Sequence, residues 1–457
     1  MRVVTCMIKL PFGRHALVLA IGFLFGVSRL RSAEPASLTP GVTPEIPALL
    51  LIEPRDATAL DGQIRASQRR LKASATPAPE LERLGWLYVA KARMSSDPGY
   101  FTLAGLAADA LEEKFNLTQE AWLLRGHVLQ TRHRFAEAEA LARRLVAARG
   151  EAADFALLGD ALYDEGRIGE AAAAFQQMVD LKPSLDSYAR AANIRWIKGD
   201  LAGAVQLQTL AVRSGGPGDA GALAWSLCRL GQFVWQQGDA AAAANCARRA
   251  LELVAEFEPA LLLQGRLLLA AGDATAALVP LERAVSILPL PEPRWVYAEA
   301  LQAAGRSGEA RAVEAILLKE GPAEDPRTVA LFLATRGSDV AAAVQLAQSE
   351  LATRADVMTH GANALALAAA GRLPEAAEQG RAALAEGTVD ARLLLYAGRV
   401  AAITHDAAAT DLLARAGQLS PLLLPSERRL LQQSLSLLPG HSASEDNSNQ
   451  TTQNKTS

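Results

Sequence analysis

Aromatic and β-branched residues are scarce in this chain of 457 residues. Only 5% of its residues are aromatic although half are hydrophobic, and alanine and leucine supply most of the apolar content. Runs of β-branched residues bounded by turn residues, the pattern that predicts strands, are few. Because alanine and leucine favour helices strongly, the composition predicts an all-α protein.

Cysteine is nearly absent, with three residues in the whole chain. Cys228 and Cys246 are the two that remain if an N-terminal export segment is removed. A disulfide between them is possible after export, but a fold of this size does not need one. Two thiols packed between helices are the simpler interpretation.

Catalytic signatures are missing as well. The sequence has no His-Glu-x-x-His, no Gly-x-Ser-x-Gly and no phosphate loop that ends in Gly-Lys-Ser/Thr. His127 and His133 lie six apart, on different faces or across a turn, so no metal site is expected there. Asp160, Asp164 and Glu165 fall at a predicted turn, where we expect them to be solvated. We predict a protein that is not an enzyme and that holds no metal or cofactor.

Residues 1–33 have the layout of a secretory signal. A basic start precedes the apolar run "ALVLAIGFLFGV" (16–27), which is too short to span about 30 Å of hydrocarbon, and small residues follow it. The layout predicts export to the periplasm or the outside, with an uncleaved signal-anchor as the alternative. Cleavage would remove five positive residues and no acid, taking the net charge from −3 to −8. A mildly acidic chain argues against nucleic-acid binding as the main role.

Three further segments follow the signal. Residues 34–55 are Pro-rich and lack a hydrophobic period, which predicts a linker. Residues 56–437 carry an internal repeat. Residues 438–457 end the chain in a polar run without apolar periodicity, which predicts a disordered tail.

The clearest repeat unit is "FALLGDALYDEGRIGEAAAAFQQMVDLKP" (155–183). Gly159 in a first helix lets a second helix approach closely, and Gly166 supplies a turn conformation that other residues adopt with strain. Phe175 fills the space between the two helices. Pro183 cannot continue a helix and ends the unit.

This frame recurs about ten times, with capping helices predicted at 56–74 and 425–437. The pattern resembles the tetratricopeptide repeat, a helix-turn-helix unit with a period of about 34 residues, over about four fifths of the chain. The stretches "LGWLYV", "DPGY" and "FQQMVDLKPSLDSYAR" are similar to those of exported bacterial members of that family. The resemblance implies a right-handed α-solenoid whose first helices line a concave face, where proteins or peptides bind.

Two consecutive units share an unusual pattern in their first helix. In "RAANIRWIKGD" (190–200) and "RLGQFVWQQGD" (229–239), an arginine, an amide and a tryptophan recur at a spacing of three, which places them on one helix face. In the next unit, an arginine reaches the level of the amides. We refer to this set as the strip: Arg190, Asn193, Trp196, Arg229, Gln232, Trp235 and Arg266.

The strip predicts a binding surface for a protein or peptide partner. Its arginines could clamp a carboxylate, its amides could bond an extended backbone, and its indoles could supply flat contact area. The alternative is that the tryptophans only fill gaps between helices while the arginines are solvated. For the whole chain, the leading hypothesis is a non-catalytic scaffold. The alternatives are a repeat platform with an enzymatic or envelope-assembly role, and an RNA-binding helical-repeat protein.

Overall fold

The computed structural model describes residues 46–55, 58–95, 97–216, 218 and 220–439. In that part of the chain it contains 22 α-helices and no strand. In chain order, they are Ala59–Ala73 (α1), Ala78–Ser95 (α2), Gly99–Phe115 (α3), Thr118–Thr131 (α4), Phe135–Ala148 (α5), Ala152–Asp164 (α6), Ile168–Leu181 (α7), Leu185–Ile197 (α8), Leu201–Ser214 (α9), Ala220–Gln236 (α10), Ala240–Leu253 (α11), Glu258–Ala270 (α12), Ala274–Ile287 (α13), Pro291–Ala303 (α14), Ser307–Glu324 (α15), Pro326–Arg336 (α16), Val340–Leu351 (α17), Val357–Ala369 (α18), Leu373–Leu384 (α19), Ala391–Ile403 (α20), Ala409–Gln418 (α21) and Pro425–Leu435 (α22).

The helices pair in sequence order into ten repeats. Repeat 1 is α2 with α3, repeat 10 is α20 with α21, and the other eight pairs follow in order between them. Each first helix also packs on the first helix of a neighbouring repeat, as α10 does on α12 and α18 does on α20. The helices α1 and α22 flank the array, close to the predicted capping segments. The predicted all-α, right-handed α-solenoid of about ten repeats is therefore confirmed.

The turn inside each repeat uses a left-handed backbone conformation. A residue with positive φ directly or nearly follows the first helix in each of repeats 2 to 10, and in repeat 8 Asp339 is a second such residue. Glycine adopts this conformation without steric cost, which explains its recurrence at the period of the repeat. Two histidines take the same role. The nine residues are His133, Gly166, Gly199, Gly238, Gly272, Gly305, Gly337, Gly371 and His405.

Small residues inside the first helices allow the helices to approach closely. A Cβ added at Gly231 would lie 2.8 Å from the Leu263 side chain of the next repeat. At Gly159, a Cβ would overlap the ring of Phe175. The sequence prediction for Gly159 and Phe175 is therefore confirmed, and their contact buries both residues in the core shared by neighbouring helices.

The packed part of the chain begins inside the predicted linker 34–55, and not after it. Residues Ala48–Leu51 form a 3₁₀ helix, and Leu50 is fully buried in the N-terminal core. The Tyr88 hydroxyl donates to the Leu50 carbonyl oxygen at 2.6 Å, and Gln68 Nε2 donates to the same oxygen at 3.1 Å. The apolar side chains of Leu50 and Leu51 explain why this end of the Pro-rich segment packs on the array. The signal segment 1–33 and most of the tail lie outside the described residues.

The superhelix curls until its C-terminal repeats touch repeats 3 to 5. Turns of repeats 3 to 5 meet the loops that precede repeats 9 and 10, and we call this contact the seam. On one side it comprises residues 164–167, 198–199 and 236, and on the other residues 354–356 and 386–390. Gly166 lies against the Ala355 carbonyl and Gly199 against the Gly387 carbonyl.

The C-terminal helix α22 fills part of the space inside the curl. The Glu427 carboxylate accepts from the Tyr396 hydroxyl at 2.8 Å and pairs with Arg392 at 2.7 Å. The backbone N–H of Ser426 donates to the Glu299 carboxylate of repeat 7 at 3.0 Å. The closing helix thus contacts both repeat 10 and repeat 7, and the concave side of these repeats is occupied by the chain itself.

Candidate functional site

The strip lies on the first helices α8, α10 and α12 of repeats 4, 5 and 6. Each amide, and Arg266 after them, stands six residues before the left-handed turn residue of its repeat, so neighbouring repeats place the strip residues side by side. The seven residues thus occupy equivalent levels of three consecutive first helices. Their contacts differ from one repeat to the next.

Arg190 clamps a carboxylate that belongs to its own chain. Its Nε donates to Asp160 Oδ1 at 2.8 Å, and its Nη2 donates to Asp160 Oδ2 at 2.6 Å. Both side chains are buried. Although burial alone would lower the pKa of Arg190, the nearby Asp160 charge raises it overall. The bidentate clamp inferred from the sequence exists, but its ligand is the preceding repeat.

Arg229 holds the same place one repeat later, with different partners. Its Nη2 donates to Asn193 Oδ1 at 2.8 Å, and its Nη1 donates to Gln232 Oε1. Asn193 in turn donates from Nδ2 to the Tyr163 hydroxyl at 2.8 Å. Among the described residues, no carboxylate forms an ion pair with Arg229. Its hydrogen-bond partners are therefore neutral amide oxygens.

Aromatic rings surround the Arg229 guanidinium. Its central carbon lies 4.6 Å from the ring centroid of Phe233 and 5.2 Å from that of Trp196. Burial lowers the pKa of Arg229 to about 10, and the distant Tyr163 and Asp390 offset this only in part. A buried cation with neutral partners is uncommon, since buried charges are usually paired. The site is thus built to favour an anionic group.

Trp196 is tied to the seam through one glutamine. Its indole Nε1 donates to Gln236 Oε1 at 2.7 Å, and Gln236 Nε2 donates to the Val389 carbonyl oxygen at 2.7 Å. Val389 precedes repeat 10, so this chain of hydrogen bonds joins the strip to the far side of the seam.

Trp235 and Arg266 lie where the C-terminal segment crosses the strip. The Arg266 guanidinium is 5.9 Å from the Trp235 ring centroid and donates to the Leu422 carbonyl oxygen at 2.8 Å. It also pairs with Glu292 at 3.4 Å. Burial lowers the pKa of Arg266, with a further contribution from the like charge of Arg392.

The strip differs from the sequence expectation in its accessibility. Five of its residues, including both tryptophans, are between 2% and 8% exposed, and Gln232 and Arg266 are half-buried. Trp235 packs between helices, against Ala243 and Ala247 of α11 and Leu263 of α12, as the alternative interpretation of the tryptophans held. The loop before repeat 10 and the segment before α22 cover other parts of the surface that the sequence predicted as an open groove. Their role as ligand contacts stays a prediction, because their partners in this structure are groups of the same chain.

Of the acidic residues near the turn at Gly166, Asp160 is buried and Asp164 and Glu165 are half-buried, each with an arginine partner, which corrects the expectation that they are solvated. Asp160 pairs with Arg190, and Asp164 lies 3.5 Å from Arg354 across the seam. Burial raises the pKa of Asp164 to about 7. Arg354 Nη2 lies 3.2 Å from His133 Nε2, and since arginine only donates, this nitrogen accepts. Burial, with the charge of Arg354, lowers the pKa of His133 to about 4.

The comparison with known families bears on the same region of the chain. The family model described as "Tetratricopeptide repeat" matches residues 123–186, 156–220 and 228–289. The chain carries tetratricopeptide repeats. In general, such repeats serve as protein-interaction scaffolds, and the matched windows contain the whole strip.

The chain also has a low similarity to several solved structures. Yeast Tom70 is 13% identical, with 83% of this chain and 92% of that chain covered and a TM-score of 0.38. The human IFIT1 dimer with PPP-AAAA is 14% identical, with 79% and 89% covered and a TM-score of 0.46. MamA is 16% identical, with 35% and 92% covered and a TM-score of 0.29. No curated protein sequence matched the chain.

Several residues of the array were missed by sequence reasoning. Asp160 stands six residues before Gly166, as Asn193 does before Gly199 and Gln232 before Gly238. That shared position was a signal for the Asp160–Arg190 pair. No comparable signal exists for Gln236 and Val389, which are far apart in the sequence.

The other chemistry of the tetratricopeptide array is sparse. Within the described ranges, no group of three or more histidine, cysteine, aspartate or glutamate side chains could hold a metal ion. Cys228 and Cys246 are buried free thiols, and burial raises the pKa of each. None of the described helices is long and apolar enough to cross a membrane.

Proposed function

We propose that this tetratricopeptide array is a non-catalytic scaffold that binds a protein or peptide through the strip on its concave side. The observation that carries the proposal is Arg229. This buried guanidinium has two neutral hydrogen-bond partners, flanking aromatic rings and no carboxylate partner among the described residues. A carboxylate supplied by a partner would complete the pairing that Arg190 already has with Asp160.

The chemistry of the strip specifies the kind of ligand. Charge-assisted hydrogen bonds from arginine to a carboxylate are stronger than those to neutral oxygens, so an acidic side chain or a chain terminus fits Arg229 best. Asn193 and Gln232 already accept from Arg229, and their amide groups can bond a peptide backbone. Trp196 and Trp235 add the rigid aromatic area that interfaces favour.

The test is a capture experiment with three versions of the purified protein. The wild type and the variants Arg229→Gln and Arg248→Gln are offered the same envelope extract, and the affinity of each recovered partner is then measured. Arg248 is an exposed arginine on the second helix of repeat 5 and serves as the matched control. We expect Arg229→Gln to weaken binding by roughly 10- to 150-fold, since hydrogen bonds to charged groups contribute about 1.5–3 kcal/mol.

Two results would contradict this function. One is that no protein is recovered above the level of an unrelated bait. The other is that Arg229→Gln and Arg248→Gln bind the recovered partner as tightly as the wild type does. Circular dichroism of each variant verifies that the helical array is intact before binding is compared.

We also propose that the scaffold acts outside the cytoplasm, in the periplasm or beyond it. The support is the three-part layout of residues 1–33, which lie outside the described residues. Cell fractionation with N-terminal sequencing of the recovered protein tests this proposal. Recovery from the cytoplasm with residue 1 or 7 at the N-terminus would overturn it, whereas an N-terminus near residue 29 or 34 is the expected result.

A further inference from the structure

The seam differs in kind from the contacts inside the array. Within and between repeats, helices pack along their lengths through alanine and leucine side chains. Between repeats 3–5 and the loops before repeats 9 and 10, turns meet loops through backbone carbonyls, one glutamine and ion pairs. Because each repeat draws its core from its immediate neighbours, the array does not depend on this contact to remain folded.

Two glycines allow the backbones to approach across the seam. A Cβ added at Gly166 would overlap the Ala355 carbonyl oxygen, and one at Gly199 would lie 2.5 Å from the Gly387 carbonyl oxygen. Gly272 and Gly305 adopt nearly the same positive φ in their own turns, yet a Cβ there would meet nothing within 4 Å. At Gly166 and Gly199, glycine is therefore favoured for two reasons, which are the positive φ of the turn and the close approach of the backbones across the seam.

The seam also covers part of the strip. Gln236 bonds Trp196 on one side and the Val389 carbonyl on the other, so the loop before repeat 10 covers this part of the strip. Further along, the Leu422 carbonyl accepts from Arg266. A partner that contacts Trp196 and the neighbouring Arg229 therefore requires the C-terminal repeats to move away, whereas Trp235 stays packed between α10, α11 and α12.

We propose that the seam is a latch that holds the strip closed, and that partner binding requires its opening. This inference rests on the proposed function, because it describes how the same surface is regulated. In the closed form, carbonyl groups of the chain itself cover part of the strip, and in the open form a partner can reach it. A partner that binds only the open form has a reduced apparent affinity, because only a fraction of the protein molecules is open.

The first test needs no partner. N-bromosuccinimide oxidises accessible indole rings, and peptide mass spectrometry assigns the oxidation to each tryptophan. The variants Gly166→Ala and Gly199→Ala introduce a side chain into the seam, whereas Gly272→Ala and Gly305→Ala impose the same backbone strain without touching it. Circular dichroism reports global unfolding, because Trp295 lies beside Arg392 of repeat 10 and would itself be uncovered when the C-terminal repeats move. The half-buried Trp86 and Trp122 report that the reagent is active.

We expect the two seam variants to oxidise Trp196 about fivefold faster or more, with the helical circular dichroism unchanged, because the equilibrium shifts toward the open form. The two control variants should match the wild type. Equal oxidation of Trp196 in all five proteins would overturn the latch. A loss of helical circular dichroism in the seam variants would overturn it too, since the seam would then be needed for folding.

The second test uses the partner recovered by the wild type in the capture experiment. Gly166→Ala should bind that partner more tightly than the wild type, by the same factor by which it increases oxidation of the strip, while Gly272→Ala should not. Unchanged binding would overturn the latch and leave the scaffold function standing. If no partner is recovered at all, the scaffold function fails, and the oxidation result still decides whether the seam opens.

Discussion

Arg190 and Arg229 occupy the same position in consecutive repeats, yet only one of them is neutralised. The residue that faces each arginine comes from the preceding repeat, and it is Asp160 for Arg190 but Asn193 for Arg229. Asp160 neutralises the arginine of repeat 4, because the carboxylate and the guanidinium form an ion pair. Asparagine leaves repeat 5 with a buried cation, which we interpret as the place for a partner's carboxylate. One difference between two residues thus separates a structural pair from a candidate binding site.

The largest expected effect comes from breaking the pair in repeat 4. Asp160→Ala should lower the free energy of unfolding by about 3 kcal/mol, since it leaves a buried arginine without its counter-ion. Asn193→Ala removes a neutral acceptor from Arg229 and should cost about 1 kcal/mol. Urea unfolding followed by circular dichroism measures both.

The control for this pair of variants is the exposed ion pair of Arg248 with Glu252. Arg248→Ala should change the free energy of unfolding by less than about 0.5 kcal/mol. Equal losses for Asp160→Ala and Asn193→Ala would show that the two repeats do not differ in the way their partners suggest.

The comparison can be sharpened by giving Arg229 the kind of partner that Arg190 has. Asn193→Asp should pair with Arg229 and stabilise the array by about 1 kcal/mol, with the Tyr163 hydroxyl rotating to donate to the new carboxylate. The same variant should bind an acidic partner about tenfold more weakly, because its own carboxylate competes for Arg229. Calorimetric titration with the recovered partner measures the second effect, and tighter binding would contradict our interpretation of Arg229.

A further expected effect is a dependence on pH that arises on the repeat 3 side of the seam. Burial raises the pKa of Asp164 to about 7, whereas Ile197, its counterpart one repeat later, cannot titrate. The unfolded chain loses this proton near pH 4 and the folded protein near pH 7. The contribution of Asp164 to stability is therefore present below about pH 4 and is lost as the pH rises to 7, by at most about 1.4 kcal/mol per pH unit.

This dependence is measured as the stability difference between the wild type and Asp164→Asn from pH 4 to pH 8. The wild type should lose stability relative to the variant as the pH rises, whereas Asp180→Asn, at an exposed site, should show a flat difference. His133, whose pKa is lowered, destabilises the fold as the pH falls below about 6.5, and this effect is common to all three proteins. The charged groups around Asp164 that set its pKa are Arg354, Asp356 and Asp160.

Much of the fold could be predicted from the sequence because its signals are local. Gly159, Gly166 and Phe175 each act within a single repeat, and the capping segment predicted at 425–437 is found as the helix α22 at 425–435. The strip residues occupy equivalent positions of consecutive repeats, as helical spacing and repeat stacking require, and their role as a binding surface stays a prediction. The cover over Trp196 could not be predicted in this way. It depends on the superhelix closing on itself, which the spacing within one repeat does not determine.

By itself, the sequence determined that small residues and left-handed turns recur at one period, so that paired helices must stack into a right-handed solenoid of about ten repeats. Only the tertiary structure decided that Gly166 meets Ala355 and that Gln236 reaches Val389. Small rotations between repeats accumulate along the array, and their sum, rather than any local pattern, brings residues more than 150 positions apart into contact. For that reason, the solenoid could be predicted from the sequence, whereas the latch over the strip could not.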